Sequence, residues 1–215
     1  MKKSLTFFKF FAMIKIKKES AWWKYMDFLE KYADLCSAIE KLLEKKERVS
    51  VAIDGGAASG KTTLADFLAK RYGAEIIHMD DFFLRPEQRT SERFAEAGGN
   101  LDRERFLEEV IPHINKREAF SYRIFDCSKM CLFGTAEISD CRLVIAEGSY
   151  SHHPAFANAF DLRVFLRVDE EERRRRIIAR NGARSEMFFT RWIPLENRYF
   201  EAFGTEEKAD LVISG

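Results

Sequence analysis

The sequence lacks a strong charge of either sign and contains few cysteines and prolines. Its 215 residues include 36 basic and 35 acidic side chains, for a formal net charge of +1. Because no net field favours an anionic partner, we predict neither nucleic acid nor a membrane as a ligand. Four cysteines do not make a disulfide framework in a chain of this length, and no CxxC or CxxH pair completes a zinc site. We therefore predict reduced thiols in a cytoplasmic protein.

The apolar N-terminal stretch MKKSLTFFKFFAMIKIKK lacks the features of an export signal. Lys9 interrupts the run, no small-residue cleavage site follows it, and it is too short to span a bilayer. We predict a disordered leader over residues 1–20, with Met13 as an alternative start. Apolar residues recur every three or four positions from Trp22 to Leu43. This spacing predicts an amphipathic helix over residues 21–47 that packs on the domain.

The remainder of the chain alternates between short apolar runs and helical patterns. The predicted strands are RVSVAID, AEIIHM, CRLVIAEG, DLRVFLRV and ADLVIS. Predicted helices cover residues 64–72, 101–116 (with Asp102 as its cap), 169–182 and 185–203, the last broken or kinked near Pro194. Residues 85–100 are predicted as an ordered loop, and residues 119–139 as a β-hairpin that turns at 128–130. The pattern predicts an α/β fold with a parallel sheet and helices on both faces.

One segment at the end of the first predicted strand matches the P-loop pattern without a mismatch. The segment runs Gly55, Gly56, Ala57, Ala58, Ser59, Gly60, Lys61, Thr62, Thr63. Its glycines let backbone N–H groups and a helix N-terminus face a phosphate. Lys61 is expected at the β- and γ-phosphates and the Thr62 hydroxyl at Mg²⁺. The sequence therefore predicts binding of a nucleoside triphosphate.

Acidic residues follow two further strands, where ligands gather in open α/β sheets. Asp80 and Asp81 come after the second strand, and Glu147 ends the third. We predict Asp80 to be a general base that also helps to hold the metal, and Glu147 to be a metal or water contact. For Asp81, acceptor binding and simple capping of the next turn are both open.

A run of arginines occupies the predicted helix over residues 169–182. It contains Arg173, Arg174, Arg175, Arg176 and Arg180. These positions spread around the helix and three acidic residues precede them, which disfavours nucleic-acid binding. We predict that two or three of them face inward and stabilise charge on a transferring phosphate.

The P-loop, DDFF, GGNLD, FDC, AEG and the arginine helix occur in an order that resembles the uridine kinase and phosphoribulokinase-like branch of P-loop kinases. The resemblance covers nearly all of residues 48–215 and implies one P-loop kinase domain there. It implies a P-loop NTPase fold with a five-stranded parallel sheet, a β-hairpin insertion and a helical lid. It further implies that ATP and Mg²⁺ are used to phosphorylate a primary hydroxyl.

The resemblance also implies roles for particular residues. It assigns catalysis to Lys61, Asp80, Arg173, Arg176 and Arg180, and the metal to Thr62, Asp80 and Glu147. The Tyr-Asp pair that contacts the acceptor corresponds to Phe125 and Asp126. The candidate acceptor-binding set is Asp81, Phe82, Tyr122, Phe125, Asp126 and Arg191. For Arg191, Glu196 and Tyr199, lining of the acceptor pocket, packing and internal ion pairing are equally open.

The chain departs from the pattern in the hairpin, where no histidine follows the Phe125-Asp126 pair. A small-molecule acceptor is predicted. A nucleoside such as uridine or cytidine comes first, and a phosphorylated sugar or another small alcohol comes next. A nucleotide-dependent switch with slow ATPase activity is the alternative from a different class. His152 and His153 are predicted to lie in a solvated loop, and the sequence leaves homo-oligomer formation open.

Overall fold

A computed structural model describes residues 25–215. The predicted leader over residues 1–20 lies outside the described residues. The chain divides into two compact units, Met1–Glu40 and Lys41–Gly215. In the first unit, residues 25–31 are helical and helix α1 (Ala33–Leu43) begins. Within the described residues, the helix predicted over 21–47 is interrupted by a turn at Tyr32 and ends at Leu43, so residues 44–47 are not helical. Its packing on the domain stays a prediction.

The second unit is built on a parallel sheet, as predicted. Its strands are β1 (Val49–Asp54), β2 (Glu75–His78), β5 (Leu143–Glu147), β6 (Leu162–Arg167) and β7 (Leu211–Ser214). They lie in the order β2-β5-β1-β6-β7, and every pair is parallel. All residues of β1 and β5 are buried, so both faces of the central sheet are covered.

The predicted hairpin forms a separate two-stranded sheet. It consists of β3 (Phe120–Asp126) and β4 (Cys131–Ile138), which pair antiparallel with an irregularity between Arg123 and Phe125. Tyr122 and Ile138 of this hairpin join the main apolar core, together with Phe82 and Phe106. The hairpin is therefore fixed to the domain beside the carboxyl end of β2.

The helices of the second unit begin and end largely where local signals place them. They are α2 (Lys61–Tyr72), α3 (Ser91–Ala95), α4 (Arg103–Glu109), α5 (Glu170–Asn181), α6 (Ser185–Met187) and α7 (Ile193–Phe203). The Asp102 carboxylate accepts a hydrogen bond from the Arg105 N–H, which confirms the predicted cap of α4. Among the described residues, no helix is long and apolar enough to cross a bilayer.

Three predicted elements differ in detail. The helix predicted over residues 101–116 is wrong in its second half, because α4 ends at Glu109 and Pro112 cannot continue a helix. The segment 185–203 is not broken at Pro194 but contains a π-helix, Phe188–Trp192, immediately before it. The ordered loop of residues 85–100 includes a 3₁₀ turn, Pro86–Gln88, and the short α3.

Candidate active site

The P-loop lies between β1 and α2, as its sequence pattern requires. Gly55 adopts φ of +143°, and a Cβ there would stand 2.5 Å from the Leu166 carbonyl oxygen, so glycine is required. The Lys61 ammonium donates to the carbonyls of Gly55 (2.7 Å) and Gly56 (2.9 Å). This buried amine and the N-terminus of α2 together make an anion cradle.

Oxygen ligands suitable for Mg²⁺ adjoin the cradle. The Thr62 hydroxyl donates to Glu147 Oε1 at 3.1 Å, which brings two of the three predicted metal ligands together. Among residues 25–215 no cluster of three His, Cys, Asp or Glu side chains forms a complete metal cage. Mg²⁺ at phosphate sites is held by one or two protein oxygens with water and phosphate, so the donor set fits this ion.

His78 is a member of this cluster that the sequence analysis missed. Its Nδ1 lies 2.7 Å from Glu147 Oε1, and this hydrogen bond raises the pKa of His78 against the opposing effect of burial. His78 is the last residue of β2, and parallel pairing puts it beside Glu147 at the end of β5. The sequence signal available for His78 was its position at the carboxyl end of a predicted strand, the edge of the sheet where ligands gather.

Asp80 lies in a 3₁₀ turn, Met79–Phe82, directly after β2. Asp80 is exposed, but protein atoms near its carboxyl displace water. This loss of water, followed by the charge of Glu147, raises the pKa of Asp80. The Lys61 charge opposes this shift, so the carboxylate stands within electrostatic range of the P-loop lysine. A carboxyl group with a raised pKa beside a phosphate cradle is suited to accept a proton from a hydroxyl.

Asp81 is directed toward the hairpin. The Tyr122 hydroxyl donates to Asp81 Oδ2 at 3.0 Å, and the buried Arg105 guanidinium donates to the Asp81 carbonyl. Burial raises the pKa of Asp81, and the Tyr122 hydrogen bond opposes the rise. Asp81 therefore links β2 to the hairpin, and a contact with the acceptor stays a prediction.

Two of the three predicted lid arginines reach the P-loop. The Arg173 guanidinium lies against Gly56, where any Cβ would collide with it. Arg176 Nη1 lies 3.4 Å from the carbonyl oxygens of Ala58 and Ser59. Arg180 instead donates to Asn181 and lies over the Phe188 ring, away from the cradle. The position of Arg180 gives no support to its predicted catalytic role.

The predicted acceptor-binding residues do not form one exposed set. Phe82, Tyr122 and Phe125 are buried. Asp126 Oδ1 accepts from the backbone and hydroxyl of Ser128, and these bonds lower the pKa of Asp126 to about 2. Asp126 thus caps the hairpin turn, while Arg191 is exposed and lies over the Phe94 and Trp192 rings.

A buried network that the sequence analysis missed is centred on Asp54, the last residue of β1. Its carboxylate accepts from the N–H groups of Gly55 (2.7 Å), Tyr150 (3.3 Å) and His152 (2.9 Å), and from the Tyr199 hydroxyl (2.8 Å). Asp54 and Tyr199 are fully buried. The first glycine of the P-loop is therefore fixed by a side chain that also binds α7. The sequence signal that could have identified Asp54 is an acidic residue directly before the P-loop.

One helical turn before Tyr199, Glu196 makes a second connection from α7 to the P-loop. Its Oε2 accepts from the Ala57 N–H at 3.0 Å and its Oε1 from the Ser149 hydroxyl at 2.7 Å. Glu196 is 5% exposed. The sequence analysis left it between pocket lining and packing, and the structure places it on the P-loop backbone.

The prediction that His152 and His153 lie in a solvated loop is wrong. Both side chains are buried, at 5% and 6% exposure. His152 approaches the Ala52 carbonyl oxygen, and the His153 ring packs against Phe156 and Tyr199. Phe156 is close to His153 in sequence, but Tyr199 and Phe203 belong to α7, far along the chain. Adjacent histidines therefore gave no local sign of burial.

The sheet order and the P-loop between β1 and α2, with acidic residues at the ends of β2 and β5, define a P-loop kinase fold. Two solved structures share it over almost their full lengths. A possible uridine kinase from Bacillus stearothermophilus superposes with a TM-score of 0.61 at 21% identity, covering 84% of this chain and 99% of that one. A candidate fructose transport system kinase from Silicibacter sp. superposes with a TM-score of 0.60 at 24% identity, covering 84% and 97%.

A sequence relative leads to the same branch. A protein of Schizosaccharomyces pombe named as a candidate uridine kinase is 29% identical over 177 residues, spanning 70% of this chain and 73% of the relative. No protein-family model matches the chain. The chain resembles the uridine kinase-like branch of P-loop kinases, as the order of its motifs predicts.

Proposed function

We propose that the protein is an ATP- and Mg²⁺-dependent phosphotransferase that moves the γ-phosphate to a hydroxyl of a small molecule. The observation that carries the proposal is the P-loop geometry, in which Lys61 donates to the Gly55 and Gly56 carbonyls and Thr62 to Glu147, with Asp80 in the turn that directly follows β2. A P-loop with an acidic residue after the second strand supports transfer to an alcohol more than simple hydrolysis.

The chain's own residues divide the chemistry between them. Asp80, in its ionised form, accepts the proton of the attacking hydroxyl. The Lys61 ammonium leaves the Gly55 and Gly56 carbonyls and neutralises the β- and γ-phosphates, and Arg173 and Arg176 add positive charge beside Gly56, Ala58 and Ser59. Thr62 and Glu147 would hold Mg²⁺, which would supply further positive charge to the phosphates.

The identity of the acceptor rests on weaker support than the class of reaction. The name of the Schizosaccharomyces pombe relative favours a nucleoside, uridine or cytidine. The hairpin, without a histidine after Asp126, favours a sugar phosphate or another small alcohol. We place the reaction in the cytoplasm.

ADP release from Mg-ATP, measured against nucleosides, sugar phosphates and small alcohols, tests the proposal. A kinase gives ADP release that depends on one class of acceptor. Slow ADP release that no acceptor stimulates, with ATP still bound, contradicts the proposal and favours the nucleotide-dependent switch.

A further inference from the structure

A pocket between the hairpin turn and the helical segment after α5 bears on the acceptor. The inference drawn from it rests on the proposed function. The pocket has a volume of about 250 Å³. The rings of Phe83, Phe94 and Trp192 and the side chains of Met130 and Met187 make its walls mainly apolar. A volume of this size suits a compact ligand with one ring or a short branched chain.

Few polar side chains line the pocket, and Cys127 and Asn100 are two of them. Burial raises the pKa of the Cys127 thiol, and the charge of Asp80 raises it further. Asn100 also lines it, is 3% exposed, and has no hydrogen-bond partner for its Oδ1 within the described part of the chain. This buried oxygen is suited to accept a hydrogen bond from a ligand.

The opposite side of the pocket is basic. The Arg89 side chain lines it and lies over the Phe125 ring, with its Nε donating to the Leu84 carbonyl at 2.8 Å. Arg191 lies over the pocket rings of Phe94 and Trp192. Across residues 25–215, neither guanidinium forms an ion pair with a carboxylate. Burial lowers the pKa of Arg89, and the charge of Arg191 lowers it further, so the two guanidinium groups disfavour each other.

We propose that this pocket binds an anionic alcohol. Its hydroxyl faces Asp80, and its carboxylate or phosphate pairs with Arg89 and Arg191. Its apolar body contacts the aromatic walls, and a donor on it reaches Asn100. A neutral nucleoside would cover the same rings but leave two guanidinium groups desolvated without a counter-charge, which weakens binding.

Matched acceptors that differ only in charge test this inference. ADP release is measured with 4-(hydroxymethyl)benzoate against its benzamide, with ribose 5-phosphate against ribose, and with uridine and cytidine. We expect kcat/KM to be about tenfold to a hundredfold higher for the anionic member of at least one pair, the range of a charge-assisted hydrogen bond. The pair in which the anionic member is preferred shows whether the pocket takes a carboxylate or a phosphate.

Substitution of the two arginines provides a second test of the inference. Arg89→Gln and Arg191→Gln are expected to raise KM for the anionic acceptor by about tenfold and to leave KM for ATP unchanged. Arg163→Gln is the matched control, because Arg163 lies on β6 and pairs with Asp210 outside the pocket. Equal use of charged and neutral partners, or a preference for uridine that survives Arg89→Gln, overturns the inference.

Binding can be followed without turnover through Cys127. Alkylation of this thiol by iodoacetamide is quantified by peptide mass spectrometry in a Cys131→Ser background. We expect the anionic members to protect Cys127 at concentrations where their neutral partners do not. If no alcohol stimulates ADP release, the proposed function fails, and the alkylation assay still decides the pocket chemistry. Equal protection by both members, or protection by neither, overturns the inference.

Discussion

Asp80 combines two properties at the scale of a single residue. It follows β2 directly, so its backbone position is fixed by the sheet. The charges around its carboxyl act in opposite directions on its pKa. Glu147 and Asp81 disfavour a negative charge there, whereas Lys61 favours it. The proton affinity of such a group responds to the phosphates and metal that enter beside it.

Asp80→Asn tests the role of this carboxylate. The amide keeps the shape but cannot accept the hydroxyl proton, so we expect turnover to fall by about 10²- to 10⁴-fold. ATP binding, measured by isothermal titration, is expected to remain. Asp66→Asn on the exposed side of α2 is the matched control. Undiminished turnover in Asp80→Asn would refute the assignment of the base.

Helices α5 and α7 act on the P-loop at the scale of elements. Arg173 and Arg176 lie one turn apart on α5 and meet the loop from one direction. Glu196 and Tyr199 lie one turn apart on α7 and reach it through the Ala57 N–H and Asp54. The loop is therefore positioned by side chains from two helices as well as by its own glycines.

The two arginines of α5 provide a prediction for catalysis. Arg173→Gln and Arg176→Gln remove cations from the P-loop, and we expect each to lower kcat by about tenfold to a thousandfold. Arg175→Gln changes the same helix at an exposed position paired with Glu172 and is expected to retain activity. Steady-state ADP release measures all three variants. Equal losses in the three would show that a general change in α5 is responsible.

Glu196 provides a prediction for stability. Glutamine at this position removes the negative charge and one accepting oxygen, so the Ala57 N–H keeps only a neutral acceptor and the Ser149 hydroxyl must accept from the amide instead of donating to a carboxylate. We expect Glu196→Gln to lower the free energy of unfolding by about 1–3 kcal/mol. Glu201→Gln, exposed on the same helix, is the control. Denaturant titration that gave equal stabilities for the two variants would contradict the anchoring role.

At the scale of the whole molecule, a buried histidine makes stability depend on pH. Burial, and then the charge of Arg103, lower the pKa of His153 to about 4 from the ordinary value of 6.5. The unfolded chain therefore binds a proton that the folded chain does not, and stability is lost as the pH falls from about 6.5 toward 4. The contribution is fully present above pH 6.5.

We expect this group alone to reduce the free energy of unfolding by about 2 kcal/mol between pH 7 and pH 5. His153→Phe keeps a ring against Tyr199 and removes the titration, so its stability should fall less over this interval. Thermal or denaturant unfolding at the two pH values measures the difference. His113→Gln, at an exposed position, is the control and should retain the wild-type dependence. An unchanged slope in His153→Phe would contradict the assignment.

Local patterns in the sequence determined much of this protein. The P-loop, the parallel strands, the hairpin and the acidic strand ends follow from short motifs and from apolar runs, because each depends on neighbouring residues. The end of α4 at Glu109 was predictable in principle from Pro112, which removes a backbone donor. The arginine helix was also visible, but the orientation of Arg180 away from the loop was not.

Only the tertiary structure decided which distant side chains hold the P-loop and which polar groups are buried. Glu196 and Ala57 are 139 positions apart, and Tyr199 and Asp54 are 145 apart. No local pattern encodes such pairs, because they meet only when α7 packs against the carboxyl ends of the strands. His153 is buried for the same reason, since Tyr199 and Phe203 of α7 pack against its ring, in addition to the nearby Phe156. Functional groups that belong to one short motif were therefore predictable from the sequence. Contacts between side chains that only packing brings together were not.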